Sequence, residues 1–218
     1  MKKAITANAI QAKLHDGMTI MIGGFMANGA PEGLIDQILA SGVKDITLIS
    51  TDTGTPETGS GRLIRARRVK KLIASHIGTN PETGAQMNAG ELDVELVPQG
   101  TLAERIRAAG AGLGGVLTPT GLGTLVAENK QIFDIDGETF LLEKPLKADL
   151  ALIRGSIVDT KGNTFYKRTT QNFNPLMATA ADIVIVEAET LVPVGKIQPE
   201  SVHTPGLFID HIYQGETA

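Results

Sequence analysis

Short apolar runs alternate with amphipathic stretches along most of the 218 residues. The runs are "MTIMIG" (18–23), "DITLIS" (45–50), "KLIASHI" (71–77), "LDVELVP" (92–98), "DLALIRG" (149–155) and "DIVIVEA" (182–188). Most are nearly continuous rather than alternating, which is the pattern of strands covered on both faces. Between them, "TANAIQAKLHDG" (6–17), "PEGLIDQILASG" (31–42) and "TLAERIRAAG" (101–110) are periodic, open on Thr or Pro and close on Gly. Those are helix start and stop signals, with Gly110 as the expected C′ residue of the third. The alternation predicts an α/β fold with a mainly parallel sheet flanked by helices on both faces. "FDIDGETFLLE" (133–143) carries Asp136-Gly137 between strand-like residues and predicts a hairpin. With no Pro/Ser-rich linker, repeat or low-complexity stretch, residues 1–218 read as a single domain.

Composition removes several function classes. A net charge of −4 gives no electrostatic reason to expect nucleic acid or an anionic membrane as the main partner. No run of 18 apolar residues exists, and the start "MKKAITANAIQAKLHDG" has no apolar core of the secretory kind. Zero cysteines exclude disulfides, thiolate catalysis and cysteine-held metal, and fit a cytoplasmic address. His15, His76, His203 and His211 show no metal-ligand spacing, so no metal is expected. "DIDGE" (134–138) begins like a calcium loop but lacks the later ligands.

Glycine clusters in two places. "IGGFMANGAP" (22–31) follows the first strand directly. Gly24 and Gly29 match the opening of a phosphate-loop pattern, but Ala30 and Pro31 stand where Lys and Ser/Thr are required, which excludes an NTPase. Its place at a strand's carboxyl end still suits a ligand loop, with a tight strand–helix turn as the plainer reading. "GAGLGG" (110–115) satisfies GxGxxG, yet a helix precedes it where a strand is needed, so a helix C-terminus with a flexible loop is expected.

The whole segment "DGMTIMIGGFMANGAP" (16–31) resembles the signature of the family I coenzyme A transferases, α (A) subunit, and within them the short-chain acyl (acetate or acetoacetate) enzymes. The likeness continues in order through "GELDVELVPQGTLAERIRAAGAG" (90–112), "TPTGLGTLV" (118–126), "GNTFYKRTTQNFNPLMATAADIVIVE" (162–187) and "PESVHTPGLFI" (199–209). It implies a Rossmann-like three-layer domain and transfer of CoA from an acyl-CoA to a carboxylate, with CoA as substrate and no permanently bound cofactor. The family's nucleophile is a glutamate in a Ser-Glu-Asn-Gly motif, absent here; "AENK" (127–130) is the nearest string, and Glu128 reads as a solvated structural residue. The resemblance therefore places the nucleophile on a partner β subunit, most simply in an α2β2 assembly, and leaves no catalytic residue on this chain. It assigns CoA binding to Gly24, Phe25, Met26, Ala27, Asn28, Gly29 and Ala30, with amides near Asn28 and Gly29 facing the thioester oxyanion.

Gln99 in "PQGT" is either an acyl or pantetheine contact or a helix cap. "RLIRARRVKK" (62–71), with Arg62, Arg65, Arg67 and Arg68, either meets a CoA phosphate or is the charged face of a surface helix. "TDTGTPETGS" (51–60) reads as an exposed loop that borders the pocket at most. A sugar-phosphate isomerase or ligand-sensing module on a related scaffold stays open as the alternative, as does a purely structural subunit.

Overall fold

The computed structural model describes residues 3–215. In chain order the elements are α1 (Ala7–Gln11), β1 (Thr19–Ile22), α2 (Glu32–Ser41), β2 (Ile46–Ile49), α3 (Gly61–Arg65), β3 (Val69–Ala74), α4 (Pro81–Asn88), β4 (Asp93–Leu96) and α5 (Gln99–Gly110). Then come β5 (Val116–Thr118), β6 (Ile132–Ile135), β7 (Glu138–Glu143), β8 (Ala148–Asp159), β9 (Thr164–Phe165), α6 (Asn174–Met177), β10 (Ala181–Val192) and β11 (His211–Tyr213). Seven strands form a parallel sheet in the order β11-β10-β8-β1-β2-β3-β4, and β9 adds to β8 antiparallel. The fold is α/β with a mainly parallel sheet, as the alternation predicts.

Successive residues of the central strands enter two different cores, which is why their runs are continuously apolar. Ile20, Ile22, Leu48, Leu72, Leu150 and Leu152 pack on one face with Leu34, Ile35 and Ile38 of α2. Met21, Ile49, Ile73, Ala151 and Ile153 pack on the other with Leu102 and Ile106 of α5 and Met177 of α6. Each of the Leu, Ile and Met side chains, fully buried, contributes about 1.5–3 kcal/mol. Helix α2 stops where Gly42 turns left-handed (φ 77°) and its N–H returns to the Leu39 carbonyl.

Sequence and structure differ in several places. Helix α1 is a single turn capped by Thr6, ending at Gln11 rather than near Gly17. Gly110 is the last helical residue of α5, not the left-handed C′ position; Gly112 (φ 68°) turns instead. Gly110 is needed for closeness, because a Cβ there would overlap the Thr179 hydroxyl. The stretch 62–71 is not one helix: α3 ends at Arg65, Arg67 turns left-handed (φ 53°), and β3 starts at Val69. Residues 51–54 and 59–60 are buried, so 51–60 is largely interior rather than an exposed loop. Helices α3 and α4 and strands β5, β9 and β11 are too short or too polar to show a period. The hairpin is present: β6 and β7 pair antiparallel across Asp136 (φ 53°) and Gly137 (φ 84°), and β5 completes a small separate sheet in the order β5-β7-β6.

Candidate functional site

Strands β2, β3 and β4 lie on one side of β1, and β8, β10 and β11 on the other. The connection order therefore reverses between β1 and β8, and open parallel sheets bind ligands outside the strands' carboxyl ends at such a point. Residues 23–30 follow β1 directly and sit there, tied to β8 by the Gly23 N–H, which donates to the Leu152 carbonyl at 3.0 Å.

The loop is a miniature hairpin. Phe25 and Asn28 exchange two backbone hydrogen bonds of 3.0 and 2.9 Å around Met26 (φ 49°) and Ala27 (φ 63°). Left-handed backbone without glycine costs about 1–2 kcal/mol per residue, so the surroundings must hold it. From one side, Asp52 Oδ2 accepts the Met26 N–H at 3.0 Å, its Oδ1 accepts the Gly54 N–H at 2.7 Å, and Thr51 Oγ1 donates to the Gly24 carbonyl at 2.9 Å. From the other, Asn172 Oδ1 accepts the Gly24 N–H at 3.1 Å and its Nδ2 donates to the Asn28 carbonyl at 3.0 Å. Asn174, fully buried, donates from Nδ2 to the Gly29 carbonyl at 3.0 Å and accepts the Arg154 N–H at 3.1 Å. Gly23 is glycine because a Cβ would overlap the Asn174 carboxamide, and Gly29 (φ 72°) because a Cβ would lie 2.9 Å from Thr170 Cα. Sequence reasoning missed Asp52, Asn172 and Asn174 as partners of the loop. No local spacing links position 24 to position 172.

These braces decide which face of the loop is open. Between the loop and residues 50–60 only about 10 Å³ remains, room for one water at most. Outward, Phe25 is 45% and Met26 41% exposed. The Gly24, Phe25, Met26, Asn28 and Ala30 N–H groups are all engaged, whereas those of Ala27 and Gly29 have no partner among the described residues. Of the two amides expected near an oxyanion, the Asn28 N–H is thus spent on the Phe25 carbonyl, and only the Gly29 N–H is available.

The carboxylates beside the loop are occupied. Asp52 holds the two amides just described, and Glu32 accepts the Gly59 N–H at 2.7 Å and pairs with Arg62 at 3.0 Å. Glu187 reaches from β10 to the start of α2, where its Oε2 accepts the Leu34 N–H at 2.9 Å. Burial pushes the Glu187 carboxyl above its ordinary range, and the Leu34 and Gly33 amides and Arg154 oppose that only in part. Since Glu187 fills the α2 N-terminus, the position where a loop of this kind would seat a phosphate is taken from within. This weighs against the sugar-phosphate alternative.

The remaining candidates lie elsewhere. Gln99 is exposed at the first position of α5, at the carboxyl end of β4, three strands and about 14 Å of sheet away from β1. It does not cap α5 through its side chain. The arginines are engaged structurally: Arg62 with Glu32 and Asp36, Arg65 with Glu57, Arg67 with Glu91, and Arg68 with the Gly42 carbonyl. Burial works against the Arg62 charge, but Asp36 and Glu32 outweigh it and raise its pKa. Glu128 is exposed and lies far along the chain from the braced loop, beside Lys130 and Leu125. Among the described residues no group of three or more His, Cys, Asp or Glu is arranged to hold a metal, and no helix is long and apolar enough to cross a membrane.

Comparison with known proteins gives a consistent picture. The family model described as coenzyme A transferase matches residues 3–215. Over 210 residues, 96% of each chain, the sequence is 58% identical to the acetate CoA-transferase subunit alpha of Escherichia coli K12. It is 57% identical, with the same coverage, to the acetoacetyl-CoA:acetate/butyrate CoA transferase alpha subunit of Clostridium acetobutylicum. It is 41% identical to a human mitochondrial succinyl-CoA:3-ketoacid coenzyme A transferase, of which it spans 43%. Among solved structures, an acyl-CoA transferase of E. coli O157:H7 superposes with a TM-score of 0.84 at 20% identity, over 97% of this chain and 46% of that one. Glutaconate coenzyme A-transferase of Acidaminococcus fermentans superposes with a TM-score of 0.83 at 21% identity, over 97% of this chain and 75% of that one. The sugar-phosphate alternative finds no support in these similarities.

Proposed function

The chain belongs to the coenzyme A transferase family, and from that membership we propose that it is the α subunit of a short-chain acyl-CoA:carboxylate CoA-transferase. The reaction exchanges CoA between acetyl-CoA and acetoacetate or a short-chain fatty acid, releasing acetate and the new acyl-CoA. One observation above all supports this reading. The loop at the switch point presents an unpaired N–H on its open face, while Asp52, Glu32 and Glu187 beside it are all committed to other groups.

The site is then completed by a β subunit bearing the glutamate of a Ser-Glu-Asn-Gly motif, in an α2β2 assembly in the cytoplasm. The partner's carboxylate attacks the thioester carbonyl, and the carbonyl electrons move onto oxygen. The collapse of that oxyanion expels CoA thiolate and leaves an acyl-glutamyl anhydride. The thiolate then attacks the glutamyl carbonyl, giving glutamyl-CoA and the free acid; an incoming carboxylate runs the same steps in reverse. The α chain contributes the open face of residues 24–30, where Phe25 and Met26 contact CoA and the acyl group. The Gly29 N–H stabilises the oxyanion, where one such donor is worth about 10²–10³ in rate. Gln99, about 14 Å of sheet from β1, lies too far to share the acyl carbonyl with Gly29 and serves as a second contact to a pantetheine carbonyl along the carboxyl edge of the sheet. CoA is substrate, and no cofactor is held permanently.

The test is co-expression with a Ser-Glu-Asn-Gly partner followed by an acetyl-CoA/acetoacetate exchange assay. The heterocomplex turns over and the isolated chain does not. Borohydride reduction after incubation with acyl-CoA marks a glutamate of the partner and none on this chain, and Glu128→Gln keeps most turnover. Robust transfer by this chain alone, or a reduced Glu128, would overturn the assignment.

A further inference from the structure

We infer that Asn172 is a positioning residue that aims the Gly29 N–H at the reacting thioester; the inference rests on the transferase reading above. The Asn28 carbonyl and the Gly29 N–H belong to one peptide unit, and among the described residues no peptide is cis. In a trans peptide the C=O and N–H point to opposite sides of the chain. Whatever holds the carbonyl therefore sets the direction of the N–H. The Asn28 carbonyl is held twice, by the Phe25 N–H at 3.0 Å and by Asn172 Nδ2 at 3.0 Å. The first bond comes from within the loop and moves with it. Among the described residues, only the second is a hydrogen bond from this peptide to a group outside the loop.

The Asn172 carboxamide is itself fixed at both ends. Its Oδ1 accepts the Gly24 N–H at 3.1 Å and the Phe173 N–H at 2.6 Å, and its Nδ2 also faces the Thr169 and Thr170 carbonyls at 2.8 and 3.2 Å. Amide donors on one side and carbonyls on the other allow a single orientation of the group. Gly29 has a left-handed φ of 72°, and a Cβ there would meet both Thr170 Cα and Asn172 Nδ2. The side of residue 29 that faces Asn172 is thus closed by packing, and the unpartnered N–H looks the other way. A donor fixed before the oxyanion forms needs no reorganisation when it does form, which is the condition for stabilising the transition state rather than the bound substrate.

Three variants in the α–β complex separate aim from mere support. Asn172→Asp leaves the Gly24 and Phe173 amides an acceptor and removes the Nδ2 donor shared by the Asn28, Thr169 and Thr170 carbonyls. Asn172→Ala removes both functions, and Asn172→Ser restores a short hydroxyl donor. In Asn172→Asp and Asn172→Ala, kcat for acetyl-CoA/acetoacetate exchange is expected to fall about tenfold to a hundredfold. KM for acetyl-CoA should stay within about threefold, because the ground-state contacts of the open face remain. Asn172→Ser should recover part of kcat. An assembled Asn172→Asp complex with wild-type kcat would overturn the inference while leaving the transferase reading intact, and so would a raised KM with kcat unchanged. If Asn172→Asp does not assemble, the Ser/Ala pair decides: equal kcat values in those two overturn the inference, and a higher value for Ser supports it. A wild-type complex that binds acetyl-CoA without transferring CoA would overturn both readings.

Discussion

The two glycine-rich segments of this chain look alike on paper and differ in almost every physical respect. Residues 22–30 are braced by residues 51–52 on one side and 172–174 on the other, and their glycines are forced: Gly23 by Asn174, Gly24 by a φ of 123°, Gly29 by Thr170 and a φ of 72°. In the second segment only the two ends are tight, Gly110 against Thr179 and Gly115 against the Glu143 carbonyl; Gly112 and Gly114 meet nothing within 4 Å, and neither does Gly123 beyond it. From Ala111 to Phe140 no residue is buried, and Leu113, Leu117, Leu125, Ile132, Phe133 and Ile135 stay exposed. In the first case glycine permits close approach and a backbone geometry held by partners. In the second it marks a surface connection. A glycine count cannot tell these apart; what lies around each Cα can.

The contrast can be broken by substitution. Gly23→Ala is expected to be the most damaging change, because Asn174 is fully buried and pinned by three backbone groups, so its carboxamide cannot retreat. Overpacking of this kind costs about 1–3 kcal/mol, read as a fall in melting temperature of roughly 2–12 °C for a chain of this size, together with loss of CoA transfer. A Gly23→Ala complex that melts and turns over normally would mean the loop has slack. Gly29→Val follows: activity should drop by orders of magnitude while the complex still assembles, since the added bulk falls on the loop's own backbone brace. Normal turnover would reduce this loop to a turn.

Asp52→Ala is expected to cost about 1–3 kcal/mol by leaving the Met26 and Gly54 amides without their acceptor, and to lower kcat about tenfold as the strained Met26–Ala27 turn loosens. Urea unfolding alongside steady-state kinetics checks both. A subtler contrast is in pH. The Glu187 pKa is raised above 4.5 in the folded chain, so between 4.5 and the raised value the folded state binds more protons than the unfolded one. Stability from this group is therefore complete below 4.5 and is lost as pH rises through the folded value. Compared with wild type, Glu187→Gln should flatten the decline of melting temperature over that window. Parallel profiles for the two proteins would count against a raised Glu187 pKa. At the small end, Gly114→Ala should shift stability by no more than about 1 kcal/mol and leave kinetics alone, having neither a left-handed φ nor a neighbour to disturb.

The sequence by itself determined the α/β class, because strand segments buried on both faces must be apolar at every position, as residues 20–22 and 150–153 are. It determined α2 through its Pro and Gly ends, and the hairpin through Asp136-Gly137, since these signals act over a few residues. It also marked 22–31 as the segment of interest. Only the tertiary structure decided what that segment is. Asp52, Asn172, Asn174 and Glu187 lie between 26 and 153 positions from the backbone groups of residues 26–34 that they hold, from the Met26–Asp52 bond to the Leu34–Glu187 bond. They are polar residues in loops (Asp52, Asn172), at the start of α6 (Asn174) or within β10 (Glu187), which no periodicity distinguishes from solvated ones. They meet the loop because β1 lies between β2 and β8 in the sheet, and that adjacency depends on packing two cores at once rather than on any local pattern.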